Sequence, residues 1–205
     1  MFFNSITQFL AAVPAILIAI TFHEYAHGKM AAILGDPTPE NQGRLTLNPL
    51  KHLDVFGTLM LFVVGFGWAK PVQVNPFFFQ GDRRKGMMYV GLAGPMMNFV
   101  LAYLAAIALQ LVGPGGYLAT FLYILMLINS ALGIFNLIPV PPLDGSKILS
   151  GLLPQSYSHF FYKLEQYGPI ILILLLVTGL AGRIMSPLLY GLVRFFQTLA
   201  GLFYF

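Results

Sequence analysis

The sequence contains no cysteine, a single tryptophan and very little charge. Without cysteine there can be no disulfide and no thiolate metal ligand, so any metal must be held by nitrogen or oxygen donors. The compartment's redox state is left open by the same absence. Only 9% of the 205 residues are charged, against about 25% in an ordinary soluble domain. Eleven basic and seven acidic side chains are too few to cover a water-facing surface. There is also no long repeat and no low-complexity segment. The net charge of +4 is carried in short loops between apolar runs, where it sets membrane orientation, so nucleic acid is not expected as a partner. The opening "MFFNSITQFL" lacks a basic leader and a small-residue cleavage site follows nowhere near it. The first apolar run is therefore expected to be a retained helix, not a signal peptide.

What is present is apolar length. Hydrophobic residues make up 58% of the chain and the mean hydropathy is +0.78. The composition predicts an all-α polytopic membrane protein, one membrane-embedded domain over 1–205. A bilayer-spanning helix needs about 20 mostly apolar residues. Runs at 6–34, 87–112 and 117–138 supply three, the last two joined by a "GPGG" turn at 113–116. These three helices form the expected catalytic core, within about 6–150. A helical tail over about 151–205 holds two shorter runs, 169–181 and 185–205, on either side of Arg183, and its number of spans is open.

Lysine and arginine favour the cytoplasmic side. Arg44 and Lys51 follow the first helix, Lys70, Arg83, Arg84 and Lys85 follow the run 55–68, and Lys147 and Lys163 follow the helix 117–138. The N-terminus and the turn 113–116 carry none. This predicts loops 35–54, 69–86 and 139–166 inside and the N-terminus and 113–116 outside. Both flanks of 55–68 are then cytoplasmic, so that glycine-rich run is expected to be re-entrant. Two stretches alternate like strands, 43–48 ("GRLTLN") and 70–75 ("KPVQVN"), and short β-strands are expected there on the cytoplasmic side. An exposed strand edge would gain main-chain hydrogen bonds from an unwound substrate. Val72, Gln73 and Val74 are the candidate substrate-binding residues on that ground.

The polar residues inside the apolar runs carry the chemistry. "HEYAH" at 23–27 lies late in the first helix, where ionisable groups are costly and normally functional. Residues four apart lie on one helix face, about 40° apart around the axis. His23 and His27 can therefore aim at one metal ion, and Glu24 sits beside them as a general base. A catalytic zinc usually takes three protein ligands and keeps an open position. Of the remaining carboxylates, Asp36, Glu40, Asp54, Asp82 and Glu165 read as solvated loop charge. Asp144 differs, following Pro139, Pro141 and Pro142, which break the helix and leave a rigid segment at the same membrane face as the histidines. A simple Asp–Gly turn is the alternative for that residue. His52 and His159 read as satisfied loop histidines, and Trp68 as an interfacial anchor.

HEYAH at 23–27, followed by Asn136, Pro139 and Leu143-Asp144-Gly145, resembles the site-2 protease family of intramembrane zinc metalloproteases, which pairs HExxH with N-x-x-P-x-x-x-L-D-G. "GLAGPMMN" at 91–98 is similar to that family's glycine-rich middle helix, and the likeness covers roughly residues 15–150. The resemblance implies one Zn2+ per chain on His23, His27 and Asp144, with Glu24 as base. It implies that Asn136 orients substrate or stabilises the oxyanion, a helix-end hydrogen bond being the plain alternative. Asn98 could contact substrate or pack, and Gly91 and Gly94 allow close helix approach. The implied function is hydrolysis of a peptide bond in or near a transmembrane segment of a substrate protein, within the lipid bilayer of the cell membrane and near its cytoplasmic face. This would be a short form without a PDZ or nucleotide-sensing domain. The rivals are a membrane zinc-binding or scaffold protein without proteolysis, for which Glu24 would be useless, and a protease of soluble loops or prenylated tails.

Overall fold

The computed structural model of the chain describes residues 5–64 and 67–202. Among the described residues it is helical: α1 (Ile6–Ile33), the single turn α2 (Thr38–Asn41), α3 (Val55–Val64), α4 (Arg83–Val112), α5 (Gly116–Asn136), α6 (Asp144–Leu152), α7 (Ser158–Val177) and α8 (Leu180–Gly201). Four of these, α1, α4, α5 and α7, are long and apolar enough to cross a membrane. The expected spans therefore hold to within a few residues at α1 and α5. At α4 and α7 the helix begins earlier, because polar turns extend each apolar run. Asp82 starts α4, its Oδ1 accepting from the N–H groups of Arg84 at 2.8 Å and Lys85 at 3.1 Å. Those backbone donors also hold its carboxyl below the usual range. The tail resolves into two helices divided by Gly179 at φ +70, and α8 is not among the candidate spans.

Helices α1, α4 and α5 pack together, and α8 lies on α4 and α5. Lipid gives apolar helices no hydrophobic reason to associate, so small residues that let backbones approach carry the contact. Ala15 of α1 meets Ala102, Ala105 and Ala106 of α4, closed by Met126 of α5 and by Val193, Phe196 and Ala200 of α8. The α4–α5 turn has Gly113, Gly115 and Gly116 all at positive φ, which side chains other than glycine rarely adopt.

Among the described residues there is no β-strand, which corrects the expectation for 43–48 and 70–75. One isolated antiparallel bridge joins Leu53 to Ala69, supported by Lys70 N–H on the His52 carbonyl at 2.9 Å. The alternation misled because the backbone donors of 71–75 go to carboxylates instead of a neighbouring chain. Val72 N–H reaches Glu24 Oε2 at 2.9 Å, and Asn75 N–H reaches Asp36 Oδ2 at 2.7 Å. Asp36 is thus not a solvated charge: it is 1% exposed and ties the end of α1 to this segment. His52 is likewise fully buried, with Nε2 on the Thr46 carbonyl at 2.8 Å. Helix α3 is about 15 Å long at 1.5 Å per residue, half of what a span needs. Its flanks meet at the Leu53–Ala69 bridge. Residues 65 and 66 of that run lie outside the described residues. Trp68 is half-exposed, as an interfacial residue would be.

Candidate active site

His23 and His27 lie one turn apart on α1, and the loop after α5 carries Asp144 to them as the first residue of α6. Their three inward atoms form a near-equilateral triangle. His23 Nε2 and His27 Nε2 are 3.0 Å apart, and Asp144 Oδ2 lies 3.1 and 3.0 Å from them. All three residues are buried.

Glycine makes this approach possible. A β-carbon on Gly94 of α4 would sit 2.5 Å from His27 Nε2 and 2.7 Å from His23 Cε1. One on Gly145 would collide with the carbonyls of Leu137 and Ile138, and one on Gly168 of α7 would sit 2.5 Å from the Pro141 carbonyl oxygen. The proline segment is therefore clamped from both sides, and Asp144 is fixed with it.

The hydrogen bonds behind the imidazoles decide what the triangle can hold. His27 Nδ1 is 2.7 Å from the Val90 carbonyl, which can only accept, so Nδ1 carries the proton and Nε2 presents a lone pair. His23 Nδ1 is 2.6 Å from Asn98 Oδ1. The Asn98 amide is oriented by its Nδ2 donating to the Ala19 carbonyl at 3.1 Å and to Asn129 Oδ1 at 2.9 Å. His23 therefore also presents a lone pair inward. Two nitrogen lone pairs and a carboxylate oxygen at about van der Waals contact repel one another unless a cation lies among them. Ligand atoms 2.0–2.1 Å from zinc at tetrahedral angles would be roughly 3.3 Å apart, close to the observed triangle. Nδ1 bonded to an acceptor is also the usual support of a metal-ligating histidine. The residues fit zinc. Lys147 Nζ lies 2.9 Å from Asp144 Oδ1, and a cation so placed favours the ionised carboxylate that a metal ligand must present. Among the described residues no other group of three or more His, Asp or Glu side chains is placed to bind a metal.

The triangle opens on a cavity of about 310 Å³ lined also by Glu24, Val72, Val74, Asn136 and Lys147. Glu24 faces it with Oε2 fixed by Val72 N–H. Asn136 reaches the cavity, but its Nδ2 donates to the Leu132 carbonyl at 3.0 Å, the helix-end bond that was its plain alternative. Asn98, a candidate substrate contact, is fully buried and is spent on His23, Ala19 and Asn129. The expectation of a substrate edge at 72–74 needs correction at Val72, and at Gln73 only the side chain is engaged. The Val72 N–H is taken by Glu24, and the Gln73 side chain accepts from Gln42 Nε2 at 2.8 Å. Val74 lines the cavity. Sequence reading missed Asn129, Gly94's contact with the imidazoles, and Lys147. An asparagine inside an apolar helix was the available signal for the first.

Comparison with known proteins adds an independent line. The family model described as peptidase family M50 matches residues 115–178. The chain is 40% identical over 186 residues to YwhC of Bacillus subtilis (strain 168), provisionally named a zinc metalloprotease, covering 86% of this chain and 84% of that one. It is 28% identical over 194 residues to the similarly named Rip2 of Mycolicibacterium smegmatis, covering 91% and 74%. It is 31% identical over 117 residues to zinc metalloprotease MJ0392 of Methanocaldococcus jannaschii, covering 55% of this chain and 34% of that one. No solved structure matches.

Proposed function

Since the chain belongs to peptidase family M50 and is a multi-pass membrane zinc metalloprotease, we propose that it cuts a peptide bond in or near a transmembrane segment of another membrane protein. The observation that carries this reading is the His23–His27–Asp144 triangle with Glu24 beside it, facing a cavity between membrane-crossing helices. His23, His27 and Asp144 would hold the ion. Zinc bound there supplies a Lewis acid that acidifies water and polarises a carbonyl. Glu24 takes a proton from the attacking water and returns it to the departing amide nitrogen. The water oxygen bonds to the carbonyl carbon, the C–N bond breaks, and a carboxylate and an amine leave. Asn136, at the cavity wall, would orient the scissile carbonyl.

A peptide bond inside a helix is shielded, so the substrate must be extended locally. Pro71–Asn75 supports such a conformation. It is suspended at Val72 and Asn75 by Glu24 and Asp36, while among the described residues the backbones of Gln73 and Val74 have no hydrogen-bond partner. An unwound substrate would pair with these two residues. Arg44 and Lys51 after α1 and the basic residues at the start of α4 favour the cytoplasmic side for the site. On that topology α3 and its flanks form a re-entrant hairpin, and residues 1–205 act as one domain.

The substrate reading is tested by comparing membrane proteomes of cells expressing wild type or Glu24→Gln. Wild type should remove membrane stubs that accumulate with Glu24→Gln, their cut ends mapping to membrane depth. Accumulation only of fragments cut in soluble loops would refute it. Sidedness is tested by single cysteines: Pro114→Cys should react with an impermeant thiol reagent in intact cells and Lys85→Cys should not. The reverse pattern would place the site at the outer face.

A further inference from the structure

Lys147 has so far been given no part in the reaction. Its Nζ lies 2.9 Å from Asp144 Oδ1, while the other oxygen, Oδ2, faces both imidazoles. The two oxygens of one carboxylate thus face different partners. The lysine side chain is 37% exposed and that of Asp144 6%, so the ammonium reaches from a wet cavity into a buried carboxylate. It lines both the active-site cavity and a second one of about 280 Å³, as does Met87. Its stem is fixed as well: Gly91 lets α6 lie so close to α4 that a β-carbon there would be 3.1 Å from Lys147 Cβ.

We propose that Lys147 is a positioning residue of the metal centre, reserving Asp144 for ligation through one oxygen and so keeping a coordination position open for the reaction. This rests on His23, His27 and Asp144 being the ligands. A free carboxylate can grip a metal with one oxygen or both. If both were used, three protein residues would supply four donor atoms and fill the place that a catalytic zinc leaves open. A charge-assisted hydrogen bond of normal length to Oδ1 opposes this. The alternative is an incidental helix-surface pair three residues apart, and such a pair would leave the metal's coordination unchanged.

Lys147→Met, Lys147→Gln and Lys147→Arg are prepared as full-length protein in detergent, and each is loaded with zinc or with cobalt(II). Three things are read: metal affinity, the visible absorption of the cobalt form, and cleavage with KM separated from kcat. Cobalt absorbs strongly when four-coordinate and more weakly when five-coordinate. Lys147→Met and Lys147→Gln should lose about 10–100-fold in kcat or metal affinity, the usual effect of removing a ligand's outer partner. KM should hold, and the cobalt band should weaken or shift. Lys147→Arg should restore most of both. Either neutral variant suffices if the other fails to accumulate. A wild-type cobalt spectrum and wild-type affinity in a folded neutral variant would overturn the proposal, whatever happens to cleavage. Asp144→Ala separates the two levels: if it retains metal, the ligand assignment itself fails.

Discussion

Helices α1, α4 and α5 and the pair α7–α8 are all rich in apolar residues, yet they bury different things. Between the first three lie Thr21, His23, Glu24, His27, Asn98, Asn129 and Ser130. The buried side chains of α7 and α8 are Phe161, Leu172, Ala181, Val193, Phe196 and Ala200, and among the described residues none is polar. Much of α7 faces outward, with Ile173 59% and Val177 80% exposed, as suits a lipid-facing surface. Apolar composition shows that a helix belongs in the membrane. Only the polar exceptions show which helices enclose the chemistry, because a polar group in lipid persists where it is bonded or used. The first region encloses the three residues that could hold a metal, with their hydrogen-bond partners, and the second is a wall.

This contrast can be broken by mirrored substitutions. The largest effect is expected from Gly94→Ala, whose new methyl would overlap both imidazoles. Metal binding and cleavage should fall to background. Gly191→Ala in α8 meets nothing within 4 Å and should leave both unchanged. Metal content and cleavage of the two purified variants check this, and equal behaviour would erase the distinction between the two regions.

Next comes Asn98→Leu, which removes the acceptor behind His23 and should cost about 10–100-fold in metal affinity or activity. Asn129→Leu breaks only the next bond outward. It should cost about 0.6 kcal/mol of stability, the average for side-chain hydrogen bonds in membrane helices, with metal affinity close to wild type. Competition against a zinc chelator would measure the first and thermal unfolding the second.

The smallest separable effect concerns 71–75. Replacing the Val72 amide by an ester removes the donor to Glu24 and should lower kcat, with zinc retained. Val74→Pro removes a backbone N–H from the candidate substrate edge and should raise KM instead. Identical kinetic signatures would mean that the segment does not divide into a part that holds the base and a part that holds substrate.

The sequence carried the long helices and the meeting of His23, His27 and Asp144, because both depend on local spacing: apolar length for the spans, and a four-residue interval beside a proline-delimited turn for the candidate ligands. It did not carry what depends on a partner far along the chain. Asp36 looks like any loop acid until Asn75 is beside it. The alternation of 70–75 fits a strand equally well whether its donors meet a neighbouring backbone or a carboxylate. Asn98 stands 75 residues from His23 in sequence and 2.6 Å away in space. Lys147 has no local mark beyond lying three residues after Asp144.

The most direct test of the central claim is the zinc content of purified wild type, Glu24→Gln, His23→Ala and Asp144→Ala. About one zinc per chain is expected in the first two, with cleavage only in wild type, and little zinc in the last two. Full zinc in Asp144→Ala, or cleavage surviving in Glu24→Gln, would contradict the account.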